Sequence, residues 1–227
     1  MADLIVTIDG PAGSGKSTAA RLLAQELGAS FLDTGAMYRA VTFAAVQAGV
    51  DLSDEQKLLD VLHRHRFQFS SHAGGMFVAI DDVDVTEQIR SPDVTAKARF
   101  IASAPKVREG LVRMQREFAA GRRKIVTEGR DQGTVAFADA DVKFFLTADP
   151  AERARRRQAE LQAKGCNESL EQIRKAIEER DGSDRSRAVG PLKPAEDAIV
   201  VDTTELTIKQ VVARLVELVT ELLQNRS

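Results

Sequence analysis

An α/β fold built on a five-stranded parallel sheet, with a small antiparallel β insertion, is predicted by three features of this 227-residue chain. Five short apolar runs, at 4–8, 30–32, 124–127, 142–146 and 199–201, have the composition of buried strands. Helical patterns separate them, which calls for crossovers between parallel strands. Residues 66–85 break the alternation: "RFQFSS", "HAGG", "MFVAI", "DD" and "VDV" read as two or three short antiparallel strands with tight turns.

The first run, 4–8, is apolar and β-branched, and "GPAGSGKST" follows it directly. Gly10, Gly15, Lys16 and Ser17 fill the pattern G-x-x-x-x-G-K-[ST]. "TAARLLAQELG" then carries apolar residues at helical spacing, and Gly28 is the expected helix stop. A glycine-rich turn between strand and helix lets backbone N–H groups wrap an anion, and the helix start adds its partial positive charge. Gly10, Pro11, Ala12, Gly13, Ser14, Gly15, Lys16, Ser17 and Thr18 are therefore expected to hold the phosphates of a nucleoside triphosphate. Lys16 should reach the β- and γ-phosphates, and Ser17 should bind Mg²⁺.

Bulk properties narrow the setting. Net charge is −2, so nothing pulls the whole chain toward nucleic acid or a membrane surface. Hydrophobic content of 43% and charged content of 29% fit an ordinary globular domain. Cys166 is the only cysteine, which rules out a disulfide framework and a cysteine metal site. No apolar run approaches a spanning helix, and the start lacks a signal-peptide pattern, so a cytoplasmic monomer is expected. His63, His65 and His72 read as surface residues. Ser53 with Gln56 reads as a capping box for a helix reaching about Leu62, and Thr207 with Gln210 as another for the C-terminal helix. Ile208, Val211, Val212, Leu215, Leu218, Val219 and Leu222 give that last helix one apolar, core-facing stripe.

Four constellations carry charge to the carboxyl edge of the sheet, where ligands of α/β folds bind. "FLDTGAMYR" puts Asp33 and Thr34 at the end of the second strand and Arg39 in the helix beyond. "EGRDQGTV" puts Arg130 and Asp131 after the third, between Gly129 and Gly133. "ERARRR" opens a helix after Pro150, with Arg153, Arg156 and Arg157 on one face; without acidic partners they should gather an anion, although Glu152 and Glu160 could neutralise part of the charge. "RDGSDRSR", if helical, aligns Arg180, Asp184 and Arg187, with Asp181 and Arg185 as an i, i+4 pair on a neighbouring face. One nucleoside triphosphate does not need so many arginines, so a second, anionic substrate is expected.

"TIDGPAGSGKST", "FLDTGAMYRA", "IR", "PKVREGLVRMQREF", "EGRDQGTVAF", "AERARRR" and "ERDGSDRSRAVGPLKPAEDAIVVDTT" together resemble the bacterial cytidylate kinases over essentially the whole chain. The resemblance implies transfer of the ATP γ-phosphate to CMP or dCMP with Mg²⁺. It implies one kinase domain over 1–227: a core of 1–62, 105–150 and 190–227, a β-containing acceptor-binding insertion at about 63–104, and a helical lid at about 151–189. Arg39, Arg130 and Arg187 would grip the CMP phosphate, with Thr34 near it. Arg108 and Asp131 would read cytosine, and Arg180 and Asp184 would contact the ribose. Arg153 and Arg157 would close with the lid, so that Lys16, Arg130, Arg153 and Arg157 make up the catalytic set. The chain departs from the family at Arg99, where a base-contacting serine is common; Ser103 follows four residues later. The segment 191–197, "PLKPAED", is the candidate adenine contact. Two rivals remain at this level: a P-loop kinase of a small hydroxyl metabolite, of the shikimate-kinase type, with Asp33 positioning the hydroxyl, and a nucleotide-binding switch without transfer chemistry. A guanine-reading N-K-x-D motif is not found.

Overall fold

A computed structural model describes residues 2–72, 75–163 and 165–225. The parallel sheet comprises β1 (Leu4–Asp9), β2 (Ser30–Asp33), β6 (Lys124–Gly129), β7 (Val142–Thr147) and β8 (Ile199–Asp202), in the order β2-β6-β1-β7-β8. All five expected strands are present. β1 sits at the centre because its run is buried throughout; Val6 and Ile8 have no exposed surface. Alternate residues face opposite sides: Ile5 joins one apolar cluster, while Leu4, Val6 and Ile8 join the other. Both faces are therefore covered by helices, the condition for a parallel sheet.

The register decides where the site forms. Asp9 lies opposite Gly129, and Asp33 opposite Glu128, so β1, β2 and β6 end together. β6 separates β1 from β2, and the chain leaves β1 in opposite directions toward β2 and β8. That strand-order reversal opens a crevice at the carboxyl edge.

On the second face, α1 (Lys16–Glu26) packs with α8 (Ile208–Gln224). Gly28 terminates α1 with a left-handed φ of 58°, as expected. Thr207 and Gln210 make the expected reciprocal capping box of α8. Val211, Val212, Leu215 and Val219 are buried, while Ile208, in the first turn, remains exposed and falls outside the expected stripe. The first face carries α2 (Thr34–Gln47), α3 (Glu55–Arg64), α4 (Pro92–Ala102) and α5 (Pro105–Ala120). Here one capping expectation fails. Asp54, not Ser53, caps α3 by accepting the Lys57 N–H at 3.1 Å; Ser53 instead donates its hydroxyl to Asp51 at 2.8 Å, and Gln56 donates to Asp60. A carboxylate one residue nearer the helix supplies the stronger cap.

The expected β insertion is a three-stranded antiparallel sheet: β3 (Phe67–His72), β4 (Gly75–Ile80) and β5 (Val83–Asp84). The "HAGG" turn includes residues 73 and 74, which lie outside the described residues. Met76, Val78 and Ile80 enter the same cluster as Leu32 and Ile125, so the insertion shares the main core. The Phe31 N–H donates to Ser71 Oγ at 2.9 Å, tying β2 to the insertion. α6 (Pro150–Gln162) and α7 (Leu170–Arg185) instead pack on each other around Ala154, Ile173 and Ile177. α7 stops at Arg185, so Arg187 does not continue its face as the sequence pattern suggested.

The capping box at α8 gives the first prediction. Thr207→Ala removes the N-cap hydroxyl and should cost about 1 kcal/mol. At this chain length that lowers Tm by about 2–4 °C, with activity per folded molecule unchanged. Thermal melts and an activity assay check both.

Candidate active site

The glycine-rich loop joins β1 to α1 at the centre of the sheet. Gly10 has a φ of 152°, and a Cβ there would stand 2.1 Å from the Leu146 carbonyl oxygen, so only glycine fits. Gly15 is the N-cap of α1, left-handed at φ 83°, and no side chain caps the helix. The first-turn N–H groups of α1 thus face the loop without a side-chain partner, which is an anion site by construction. Lys16 is buried, with Nζ donating to the Pro11 carbonyl at 2.9 Å. Burial, then the Arg130 charge, lowers the Lys16 ammonium to about 7. Ser17 Oγ donates to Glu128 Oε1 at 2.8 Å. Burial, and then the nearby Asp33, raise the Glu128 carboxyl above its usual range. Ser17 and Glu128 together form a hard-oxygen pair beside the loop, which suits a Mg²⁺ that keeps phosphate and water as its other ligands.

Asp9 stands one residue before the loop. Its carboxylate accepts the Gln132 N–H at 2.9 Å and the Gly133 N–H at 2.8 Å. Burial pushes it up to about 7, against the pull of those two bonds. Sequence reasoning missed Asp9 and Glu128. Their signal is position alone: each sits at or next to the carboxyl end of a predicted strand.

Elsewhere along the crevice, Asp33 caps α2 and pairs with Arg39 at 3.3 Å and Arg90 at 3.4 Å. Arg90 was part of the quoted "IR" pair but had no role assigned. The Thr34 hydroxyl donates to the Glu128 carbonyl at 2.7 Å, so its proton points at β6. Asp184 joins two arginines: Arg130 Nε donates to it at 2.7 Å, and Arg187 pairs with its other oxygen. Arg187 thus reaches Asp184 from beyond the helix rather than along its face. Arg108 and Asp131 form a buried ion pair, and the Arg108 guanidinium lies 5.6 Å from the Tyr38 ring centre. Burial raises the Asp131 carboxyl, opposed first by Arg108 and then by Arg187. Burial raises the Tyr38 hydroxyl.

The Arg180 side chain is solvent-exposed and makes no hydrogen bond or ion pair among the described residues. Arg130, then desolvation, then Arg39, Arg157 and Arg187 lower its guanidinium to about 9. Desolvation, Arg108 and Arg130 lower Arg187 to about 10. The Nε atoms of Arg39 and Arg108 are buried and lack a hydrogen-bond partner. Guanidinium groups gathered so closely, with donors left over, call for a polyanion.

The "ERARRR" expectation needs correction. Its three shared-face arginines do not converge on one point, because each has an acid. Arg153 is buried against Asp181 of α7 and donates to the Ala12 carbonyl at 2.9 Å. Arg156 pairs with Glu152 at 3.1 Å and reaches the Thr203 carbonyl at 2.6 Å. Arg157 pairs with Glu160 at 3.0 Å. The expected Asp181–Arg185 pair is likewise replaced: Asp181 accepts from the Ala12 N–H at 3.1 Å as well as from Arg153. The α6–α7 hairpin is thereby bonded to the phosphate loop. Arg99 lies over Phe100 in the last turn of α4, and Ser103 is that helix's C-cap. Within 191–197, the Leu192 N–H donates to the Asp184 carbonyl, and Asp197 pairs with Lys143 at 2.9 Å. His63 and His72 are exposed, as is Cys166.

A parallel sheet with a glycine-rich loop at its centre and a crowd of arginines across the crevice defines a P-loop phosphotransferase of the nucleoside monophosphate kinase class. The family model described as cytidylate kinase matches residues 6–221. The cytidylate kinase of Rhodopirellula baltica is 47% identical, covering 97% of this chain and 94% of its own. That of Stutzerimonas stutzeri is 48% identical, with 93% of each chain covered. The chain belongs to the cytidylate kinase family. Among solved structures, TT1252 from Thermus thermophilus covers 97% of this chain and 98% of its own at 18% identity, with a TM-score of 0.51. An uncharacterized protein from Eubacterium ventriosum covers 96% of this chain and 99% of its own at 12% identity, with a TM-score of 0.53. Both share the fold. No helix among the described residues is long and apolar enough to cross a membrane.

The lowered Lys16 gives a second prediction. At pH 8 an amine titrating at about 7 is mostly neutral in the free protein. Phosphate oxygens beside it favour the charged form, so its value rises and it takes up a proton. Negative ligand charge also raises Glu128 and Asp9, in the same direction. Calorimetry of Mg-ATP binding at pH 8, in buffers of different ionisation enthalpy, should show net proton uptake. The uptake should fall in Lys16→Met, to the part contributed by Glu128 and Asp9.

Proposed function

We propose that the protein transfers the γ-phosphate of ATP to CMP or dCMP, giving ADP and CDP or dCDP, with Mg²⁺. The observation that carries this reading is the buried Arg108–Asp131 pair beside Arg39, Arg130, Arg180 and Arg187. It combines a base-edge reader with a phosphate grip in one crevice.

The phosphate loop and the N-terminus of α1 hold the donor's phosphates. Lys16 shifts from the Pro11 carbonyl to the β- and γ-oxygens. Ser17, backed by Glu128, would hold Mg²⁺. When bound, the ion neutralises charge on the β- and γ-phosphates. Arg39, Arg130 and Arg187 hold the acceptor phosphate, with Thr34 beside it. An oxygen of that phosphate is already ionised at neutral pH. It attacks the γ-phosphorus, the bond to the β-phosphate bridging oxygen breaks, and ADP departs. No proton has to be removed, so no general base is needed. Catalysis rests on alignment and on charges aimed at the transferring group. Arg153 fastens α6 and α7 to the loop, and Arg157 exchanges Glu160 for phosphate as that hairpin closes. Residues 63–104 then serve as the acceptor-binding insertion and 151–189 as the lid. Closure excludes water and limits ATP hydrolysis.

Cytosine presents a donating N4 amino group, which the Asp131 carboxylate accepts, while Arg108 donates to the ring's acceptors. Uracil presents an acceptor at the same place. Arg180 and Asp184 face the ribose. A hydroxyl acceptor, as in a shikimate-type reaction, has no use for this concentration of guanidinium charge. The same reading makes the protein a cytoplasmic monomer acting on small molecules, with no nucleic-acid or membrane partner.

Two substitutions test the proposal. Lys16→Ala should leave a folded protein and lower kcat by about 10²–10³, as loss of one transition-state donor does elsewhere; near-normal turnover would remove Lys16 from the site. Asp131→Asn keeps the shape but replaces one acceptor oxygen with an NH₂ that can face uracil O4. The CMP-over-UMP preference in kcat/KM should fall by about 1–3 kcal/mol. An unchanged ratio, with both substrates slowed alike, would reject base reading by Asp131.

A further inference from the structure

The chain that follows Arg130 and Asp131 forms a π-helical turn, Gln132–Ala136, with Asp131 at its N-cap position. An aspartate in that position ordinarily turns its carboxylate back to accept the second or third N–H of the turn it precedes. Asp131 does not: no side-chain cap bond is present, and its carboxylate is paired with Arg108. Of the donors such a cap serves, the Gly133 N–H is accepted at 2.8 Å by one Asp9 oxygen, and the other Asp9 oxygen accepts the Gln132 N–H, the first of the turn, at 2.9 Å. Asp9 comes from the end of β1, more than 120 residues away. It is 4% exposed, so water does not offer those N–H groups an alternative.

We propose that Asp9 is a positioning residue for base selection: by capping the 132–136 turn from outside, it frees the Asp131 carboxylate to face Arg108 and the acceptor base. The proposal rests on the reading of Asp131 as the cytosine contact. Its physical basis is competition for two acceptors. Two buried donors must be satisfied; Asp9 accepts both, and the Gly133 N–H is the one a capping Asp131 would otherwise take. Asp9 satisfies both, one per oxygen, which no neutral side chain of its size can do. A second bond steadies the same turn, from Thr127 Oγ1 to Gln132 Oε1 at 3.0 Å, but it leaves the backbone donors to Asp9. Because Asp9 also precedes Gly10, the capped turn and the phosphate loop hang from one residue pair of the central strand.

Asp9→Asn offers one acceptor oxygen and sets an NH₂ against the second N–H. Asp131 is then drawn back onto its own turn, and the base contact is lost without any change to Asp131 itself. The experiment compares wild type, Asp9→Asn, Asp131→Asn, the double variant, and Asp141→Asn as a control. Asp141 accepts the Ile5 N–H at 2.8 Å at the opposite end of β1, so its replacement measures lost stability alone. The readouts are kcat/KM for CMP and UMP, KM for ATP, and thermal melts. Asp9→Asn should narrow the CMP-over-UMP preference at least tenfold beyond the control and leave KM for ATP within about twofold. The double variant should be no less selective than either single one. A preference kept at the wild-type value in Asp9→Asn, while Asp131→Asn loses it, would overturn the proposal and spare the function. If Asp131→Asn keeps the preference, the base-reading assignment fails first. Asp9 is then judged on KM for CMP: a tenfold rise over the control supports loop positioning, and no rise refutes it. Should Asp9→Asn not fold, Asp9→Ser, smaller and with one acceptor oxygen, is read by the same criteria.

Discussion

Like charges crowded at one edge of a sheet repel, and the architecture of this protein is organised around holding that repulsion. Arg130 and its neighbours depress the basicity of Arg180, and the same group acts on Arg187. The arrangement persists because three aspartates hold arginines in fixed directions: Asp33 holds Arg39, Asp184 holds Arg130 and Arg187, and Asp131 holds Arg108. Each aspartate lies at or near the end of a secondary-structure element: Asp33 as the last residue of β2, Asp184 on the last turn of α7, and Asp131 just after β6. The common ending of the strands in the sheet therefore does electrostatic work. It puts the carboxylates where they can orient cations without neutralising them all. Such preorganised charge stabilises developing negative charge with little reorganisation.

The parts of this design that are local in sequence were legible there. The strands could be read because a parallel sheet buried on both faces needs continuous apolar, β-branched runs. The phosphate loop could be read because its geometry needs glycine at fixed spacing, and Gly10 against the Leu146 carbonyl shows why. The expectation for Arg130 and Asp131 followed from their place after a strand, and both stand beside the crevice. Pairings across the chain were not legible. Nothing near Arg153 announces Asp181, which arrives from another helix, and so the arginine helix looked unpartnered. Asp54 displaced Ser53 as a cap because several capping residues stood in a row and only geometry chooses among them. Asp184 and Arg187 were rightly associated, but by a chain that leaves the helix rather than by helical spacing.

The two elements that flank the crevice are joined to the core in different ways. The β insertion contributes Met76, Val78 and Ile80 to the cluster that holds Leu32 and Ile125, so its packing is continuous with the sheet. The α6–α7 hairpin has its own small cluster, with Ala154, Ile173 and Ile177 buried and Leu161 against them. Its link to the rest is polar: Arg153 and Asp181 to Ala12, and Arg156 to Thr203 and Thr204.

A unit with its own apolar contacts and a polar seam to its neighbour forms a separate cooperative block. For the amide protons this means two regimes. Those of β4, the central and largely buried strand of the insertion, exchange with solvent only when the main core opens, on the slow clock of global unfolding. Those of α7 have a cheaper route, since the hairpin can lift away with its helices intact or fray on its own three-residue core. The hairpin is thus a segment whose loosening leaves the sheet undisturbed while it releases Ala12 of the loop at the sheet's centre.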